Sequence, residues 1–257
     1  LVPEITKKYG KAEVITACNM FAHVSQLGSL IMGAENLLVD NGLFVTESHY
    51  LLDLIDTFQY DSIYHDHLKY YSVKSIIKLF EYYNFTVIDI DRISNYGGSI
   101  RVYARKGKLH EVSTKVSNLL KEEVDRGLYK NLIYEDFTNK IKNSKLQLQN
   151  LILDGKNNNL KIVGIGCPGR ATTLLSYCNL DSDALSYIAE QSTSLKLGLF
   201  TPGTYIPIVD EKVMFEDQPD IAIILSWHYW EPIVNKLRAK GLKSKIIIPL
   251  PEVRVID

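Results

Sequence analysis

Apolar positions along the chain fall into two alternating blocks with a helical block between them. Residues 13–19 (EVITACN) read as a buried strand, and the following SQLGSLIMGAENLLVDNG sets Leu27, Leu30, Ile31, Ala34, Leu37 and Leu38 at helical spacing. Asn41-Gly42 predicts the end of that helix, and LFVTES a second short strand. Strand, helix and strand over 13–48 make one βαβ unit, which implies a parallel sheet. Two strands alone are not stable, so partners are expected from Thr86–Asp91, from Ser99–Arg105 or from sequence upstream. Residues 49–72 contain YDSIYHDHLKYYS, polar and without a clear period, before an amphipathic helix carrying Ile76, Ile77, Leu79, Phe80 and Tyr83.

From 110 to 154 the period is helical throughout, with Val112, Val116, Leu119, Leu120 and Val124 on one face and Phe137, Ile141, Leu148 and Leu151 on another. This reads as a two-helix connector, closed by the turn cluster GKNNN at 155–159. Beyond it LKIVGIG, LSYIAEQ, DIAIILS and KIIIPL read as strands, and PGRATTLLSYC and YWEPIVNKLRAKG as helices. The fold class is therefore α/β. Residues 1–107 form a first α/β domain, 108–157 a helical connector, and 158–257 a C-terminal α/β domain with a parallel sheet.

Composition narrows the function more than the fold. Charged residues are 23% of 257, and 29 Lys and Arg nearly balance 30 Asp and Glu, which argues against disorder and against an electrostatic nucleic-acid binder. Cys18, Cys167 and Cys178 are odd in number and lack metal-ligand spacing, so a reducing cytoplasm is expected. No apolar run approaches the roughly 20 residues that span a bilayer, and the first ten residues carry no signal-peptide pattern. The chain begins without Met, and we expect it to be a fragment or to have lost upstream residues.

Four constellations could carry chemistry. Gly164-Ile-Gly166-Cys-Pro-Gly169 is a G-x-G-x-x-G that follows a strand and opens a helix, with Arg170 as a possible cation and Glu190 about where a ribose-binding acid would stand. It could hold a dinucleotide or another phosphate-bearing ligand, or serve as a structural turn, and Pro168 removes one amide donor. Tyr64-His65-Asp66-His67 could bind a metal, but ligands at i and i+2 face one way only on an extended segment and no third is nearby, so no metal is expected. Acid/base work suits it better: an imidazole takes a proton near neutral pH, a carboxylate fixes its tautomer, and a phenol donates to a developing oxyanion. A hydrogen-bonded surface loop remains the alternative. His23 follows a strand of the parallel sheet, where ligand crevices form, the alternative being a satisfied, half-buried His. Gly97 and Gly98 enter a strand ahead of Arg101, either as a hairpin or as a close approach to a phosphate-bearing ligand.

At these residues the chain resembles the S-adenosylmethionine-dependent C-methyltransferases that act on nucleotide-linked ketosugars in deoxysugar biosynthesis. The ordered segments are NMFAHV (19–24), DSIYHDHLKY (61–70), YGGSIRV (96–102), GIGCPGRATTLL (164–175), PGTYIP (202–207) and Ser226-Trp227. The resemblance implies an N-terminal zinc module, a methyltransferase Rossmann domain and a C-terminal domain that helps hold a nucleotide-diphosphate sugar. The zinc module, and the half of the Rossmann domain holding most of S-adenosylmethionine, are expected upstream of this chain, so residues 1–107 would be a partial methyltransferase domain. In that scheme a base removes the proton on the carbon next to the ketone and the enolate attacks the sulfonium methyl. The resemblance gives His67 as base, Asp66 as its partner in place of the family's usual Glu, Tyr64 as donor to the enolate oxygen and His23 as support. It gives Asn19 to the cofactor, and Gly97, Gly98, Arg101, Gly164, Gly166, Gly169 and Arg170 to the substrate. The rivals are a noncatalytic nucleotide-sugar or dinucleotide-binding protein and an NAD-dependent oxidoreductase.

Overall fold

In the computed structural model, which describes residues 1–257, the chain divides into two units, 1–57 with 65–135 and 58–64 with 136–257. The first begins with α1 (Val2–Tyr9), β1 (Ala12–Cys18), α2 (Leu27–Leu37), β2 (Leu38–His49) and α3 (Leu51–Asp56). It continues with α4 (Val73–Tyr82), β3 (Phe85–Ile93), β4 (Ser99–Lys106) and α5 (Thr114–Asp125). Strand order is β1-β2-β4-β3. β1 and β2 are parallel, as a βαβ unit requires, but β3 and β4 form a hairpin, so β4 runs antiparallel to β2 and the sheet is mixed rather than parallel. Asn41-Gly42 does not stop α2. That helix ends at Leu37 and β2 starts at once, while Asn41, at φ +60°, lies in the stretch where the β1–β2 register slips.

The core of this unit is a ring stack. Phe21, Phe44, Phe80 and Phe85 are each 1% exposed or less, and Phe44 has ring centroids 5.7 Å from Phe21 and from Phe80. α4 brings Phe80 into the stack from a capped start, where the Ser72 hydroxyl accepts from Ser75 N. Buried Glu123 of α5 accepts from Val73 N at 2.5 Å and Lys74 N at 3.3 Å, and the Tyr129 hydroxyl also donates to it. α3 escaped the sequence pattern because it has only six residues, of which the central four, Leu52 to Ile55, are all buried, Asp53 among them.

The second unit follows α6 (Asn131–Asn157) with β5 (Ile162–Ile165), α7 (Ala171–Tyr177), β6 (Ile188–Glu190), β7 (Ile208–Asp210) and α8 (Glu211–Asp217). It ends with β8 (Ile221–Ile224), α9 (Trp230–Ala239), β9 (Lys245–Ile248) and β10 (Arg254–Ile256). The order is β10-β9-β8-β5-β6-β7, parallel throughout except for the antiparallel edge β10. β7, α8 and β10, of three to seven residues, were too short to show a period.

In place of a separate connector over 108–157, α5 belongs to the first unit, and the units part between Glu135 and Asp136, inside α6. GKNNN is not wholly a turn: α6 continues through Asn157, and Leu160 N donates to Gly155 O at 2.9 Å to close it, with Asn159 at φ +55°. Gly155 packs closely: a Cβ there would lie 2.9 Å from the terminal Cδ1 of Ile162. No helix is long and apolar enough to cross a membrane.

Candidate functional site

Parallel β1 and β2 end side by side, and the chain leaving each carries the polar residues of the first unit's site. Asn19 caps the β1 end at φ +52°, its N–H extending the ladder to Glu47 O at 2.9 Å. His23 follows in the turn after β1, and His49 is the last residue of β2. Residues 67–71 are laid across these ends by backbone and side-chain bonds: Leu68 N to Ala22 O (2.9 Å), Lys69 Nζ to Val24 O (2.7 Å) and Leu51 N to Tyr71 O (2.9 Å). The result is a cluster of imidazoles. The His67 ring centroid is 5.0 Å from those of both His23 and His49, with Tyr70 at 6.3 Å, and Tyr96 lies 6.1 Å from His49.

His67 is half-buried and His23 exposed. His49 was not singled out in the sequence, and Tyr96 was given no role there. The rule that picks His23, a polar residue just past a parallel strand, would also have picked His49. No group of three or more His, Cys, Asp and Glu side chains is placed to hold a metal ion. The Asp66 carboxylate lies 3.4 Å from His65 Nε2, both side chains being well exposed.

Gly97 and Gly98 sit in the turn between β3 and β4, and the structure gives the second of them a packing task. Gly98 has φ +128°, and a Cβ there would lie 2.5 Å from Asp53 Cγ. Asp53 is buried and accepts from Arg92 Nε at 2.8 Å, while Arg92 also reaches Glu122 at 2.8 Å. Arg101 is engaged as well: it stands opposite Glu47 in the β2–β4 register and donates Nε (3.1 Å) and NH2 (2.8 Å) to one oxygen of that buried carboxylate. Asn95 Nδ2 donates to the other oxygen at 3.1 Å. The guanidinium expected to meet a phosphate is thus held by Glu47.

In the second unit the glycine-rich turn joins β5 to α7. Gly166 takes φ +74°, and a Cβ there would meet Ser226 Oγ at 2.5 Å; at Gly164 it would meet Ile188 Cγ1 at 2.9 Å. Both glycines therefore serve close packing. Glu190, at the end of β6, accepts from Cys167 N at 2.7 Å, and Gly166 N donates to Ala189 O at 2.9 Å. With Pro168 lacking an N–H, three of the amides a dinucleotide pyrophosphate would use are spent or missing. Burial and the Glu190 charge push the Cys167 thiol up despite the nearby Lys196 ammonium.

Arg170 begins α7 and forms an ion pair with Asp61, NH2 to Oδ1 at 2.9 Å; the carboxylate is 1% exposed. Trp227 Nε1 donates to Asp61 Oδ2 at 2.7 Å, and Arg170 NH2 also donates to Gln59 Oε1 at 3.1 Å. Burial pushes the Asp61 carboxyl up, against the pull of Arg170 and the Trp227 bond. Tyr64 belongs to this unit, its ring 3.8 Å from where a Gly169 Cβ would be, whereas His65 to His67 count with the first unit. Neither Asp61 nor Trp227 was singled out as a site residue in the sequence: their partnership spans 166 positions, and no local pattern signals it.

With this geometry in hand, the chain matches the C-methyltransferase C-terminal domain family over residues 94–251 and the family described as a methyltransferase domain over residues 2–90. The first match covers more than half of the sequence, and the chain belongs to that family. The C-methyltransferase NovU of Streptomyces niveus is 31% identical over 260 residues, a match taking in 99% of this chain and 61% of the relative. The chain thus spans about three-fifths of that protein's length. Among solved structures, the magnesium protoporphyrin IX methyltransferase ChlM of Synechocystis PCC 6803 with bound SAH aligns at 12% identity over 38% of this chain and 46% of its own, with a TM-score of 0.31. An O-methyltransferase family protein of Burkholderia thailandensis aligns at 11% over 42% of this chain and 35% of its own, with a TM-score of 0.28. At those scores neither bears on the fold.

Proposed function

We propose that this chain serves transfer of a methyl group from S-adenosylmethionine to the carbon next to the ketone of a nucleotide-linked sugar, by general-base enolisation. The observation that carries the reading is the edge-to-face set of His23, His67 and His49 at the ends of β1 and β2, joined by Tyr70 and Tyr96. Family membership and the naming of NovU as a C-methyltransferase support it. His67 takes the proton from the carbon acid. His23 and His49 flank it, each with its ring centroid 5.0 Å away. Tyr64 donates to the oxygen on which charge develops.

The cofactor, when bound, supplies an electrophilic methyl group on a sulfonium. The residues at hand fit part of that group: Asn19 is exposed beyond β1, and the Ser48 hydroxyl near the end of β2 is buried with no hydrogen-bond partner. The C-terminal domain takes the nucleotide-diphosphate part of the substrate, and Gly169, with no packing conflict within 3.4 Å, is the glycine of its turn that a phosphate could approach. The zinc module belongs to the same reading of a longer protein, and the working compartment is the cytoplasm.

The test is direct. Methyl-labelled S-adenosylmethionine is incubated with the protein and a panel of nucleotide-linked ketosugars. Label fixed at the carbon next to the ketone supports the reading, and no transfer with sugars that bind would sink it.

A further inference from the structure

The segment Phe58–Tyr64 is separated by more than seventy residues of sequence from the rest of the unit to which it belongs, and it carries Tyr64 at its end. Nothing in so short a piece would hold its shape alone. Its side chains are fastened instead to the turns after β5 and β8, two adjacent parallel strands. Asp61, with no exposure, takes Arg170 NH2 at 2.9 Å and Trp227 Nε1 at 2.7 Å on its two oxygens. Arg170 NH2 also holds Gln59 Oε1 at 3.1 Å, and its NH1 donates to His228 Nε2. Because a guanidinium can only donate, His228 must present a lone pair there, and its ring stacks on Trp227 with centroids 3.6 Å apart. Further along, Thr173 Oγ1 donates to Ile63 O at 3.2 Å, and the Tyr64 ring then lies against Gly169. Gln59 and Asp61 are thus tied to the turns after β5 and β8, and Ile63 to α7.

We propose that Asp61, Arg170 and Trp227 form a positioning clamp whose task is to hold Tyr64 in place for catalysis. This assigns Arg170 to the catalytic segment rather than to a phosphate, and it rests on Tyr64's part in the methyl transfer proposed above. A carboxylate held from two sides, by one guanidinium N–H on Oδ1 and by the indole N–H on Oδ2, fixes both position and orientation of the backbone that carries it. A hydroxyl donor held this way adds no reorganisation at the moment charge develops.

The variants are Arg170→Lys, which keeps the charge and loses the fork, and Trp227→Phe, which keeps an aromatic ring for His228 and loses the donor. Trp227→Phe is the milder and carries the test if Arg170→Lys does not fold. Two measurements are made on the full chain. Amide hydrogen exchange at residues 62–67 should rise about tenfold or more in the variants while β5 and β8 stay protected, because the segment opens locally. In the methyl-transfer assay kcat should fall about tenfold to a hundredfold with KM nearly unchanged, the scale of a misplaced catalytic group. That loss should vanish in a Tyr64→Phe background, since a clamp acting through the phenol has nothing left to place. Unchanged exchange at 62–67, or a kcat loss that adds in full to that of Tyr64→Phe, would overturn the clamp. If the parent moves no methyl group, the proposed function fails on that result alone, and the exchange arm still decides whether the clamp holds the segment.

Discussion

Replacing Gly98 with alanine tests whether the glycine pair of the β3–β4 turn is kept for packing or for a ligand. At φ +128° an L residue is strained by about 1–3 kcal/mol. The added Cβ would also stand 2.5 Å from Asp53 Cγ, and Asp53 cannot step aside because Arg92 Nε holds it at 2.8 Å and Glu122 holds Arg92. Overpacking of this kind adds about 1–3 kcal/mol, so the sum is about 2–6 kcal/mol. The assay is urea unfolding followed by far-UV circular dichroism. Both tryptophans, Trp227 and Trp230, lie in the second unit, so their emission serves as an internal reference that the substitution should not perturb at low urea. A destabilisation under about 0.5 kcal/mol, within the range of ordinary surface changes, would show that the turn relaxes freely. The packing argument would then fail, and a ligand role for the pair would regain ground.

Three further outcomes follow from the same contacts. Glu123→Ala strips the acceptor from Val73 N, Lys74 N and the Tyr129 hydroxyl and should destabilise the first unit by about 3 kcal/mol or more, measured by chemical denaturation, whereas Glu123→Gln should recover part of that. NADH should show no saturable fluorescence enhancement with this chain, because Glu190 occupies Cys167 N; enhancement that disappears in Gly166→Val would contradict that reading and favour an oxidoreductase. The Ser113 hydroxyl bond and Lys115 hold Asp89 below the ordinary carboxylate range, and Lys115 does the same for Asp91. A lowered carboxylate contributes stability above its unfolded value, near 4, and loses it as pH falls through the lowered one, so the first unit should weaken below about pH 4 and Lys115→Met should flatten that acid limb.

Periodicity located most of the framework, since runs such as IVGI and IAII are buried strands of a parallel sheet and read as continuous apolar segments. It failed where an element is short and mostly buried, as in α3, or spans three residues, as in β7 and β10. The mixed sheet of the first unit was also hidden: whether β4 lies parallel or antiparallel to β2 depends on the β3–β4 hairpin, whose Tyr96-Gly97-Gly98 turn could be read equally as a ligand loop. His23 and His67, which a strand end and a polar aperiodic stretch single out, are brought together by the fold. What else they meet was not legible. His49 completes the cluster through tertiary pairing of 67–71 with two other loops, and Arg101 and Arg170 both looked like phosphate cations until Glu47 and Asp61 appeared beside them. A lone basic residue near a glycine turn carries no signal of the buried carboxylate that claims it.

The central claim is that His67 removes a proton from the carbon next to the sugar ketone. Solvent deuterium exchange at that carbon reports the step without methyl transfer, with the cofactor replaced by its demethylated product. Loss of a positioned general base costs about 10²–10⁴ in rate, so His67→Asn should slow exchange by that factor while nucleotide binding, measured calorimetrically, stays nearly unchanged. Exchange in His67→Asn at the parent's rate, with binding intact, would contradict the account and turn attention to His23 or His49 as the base.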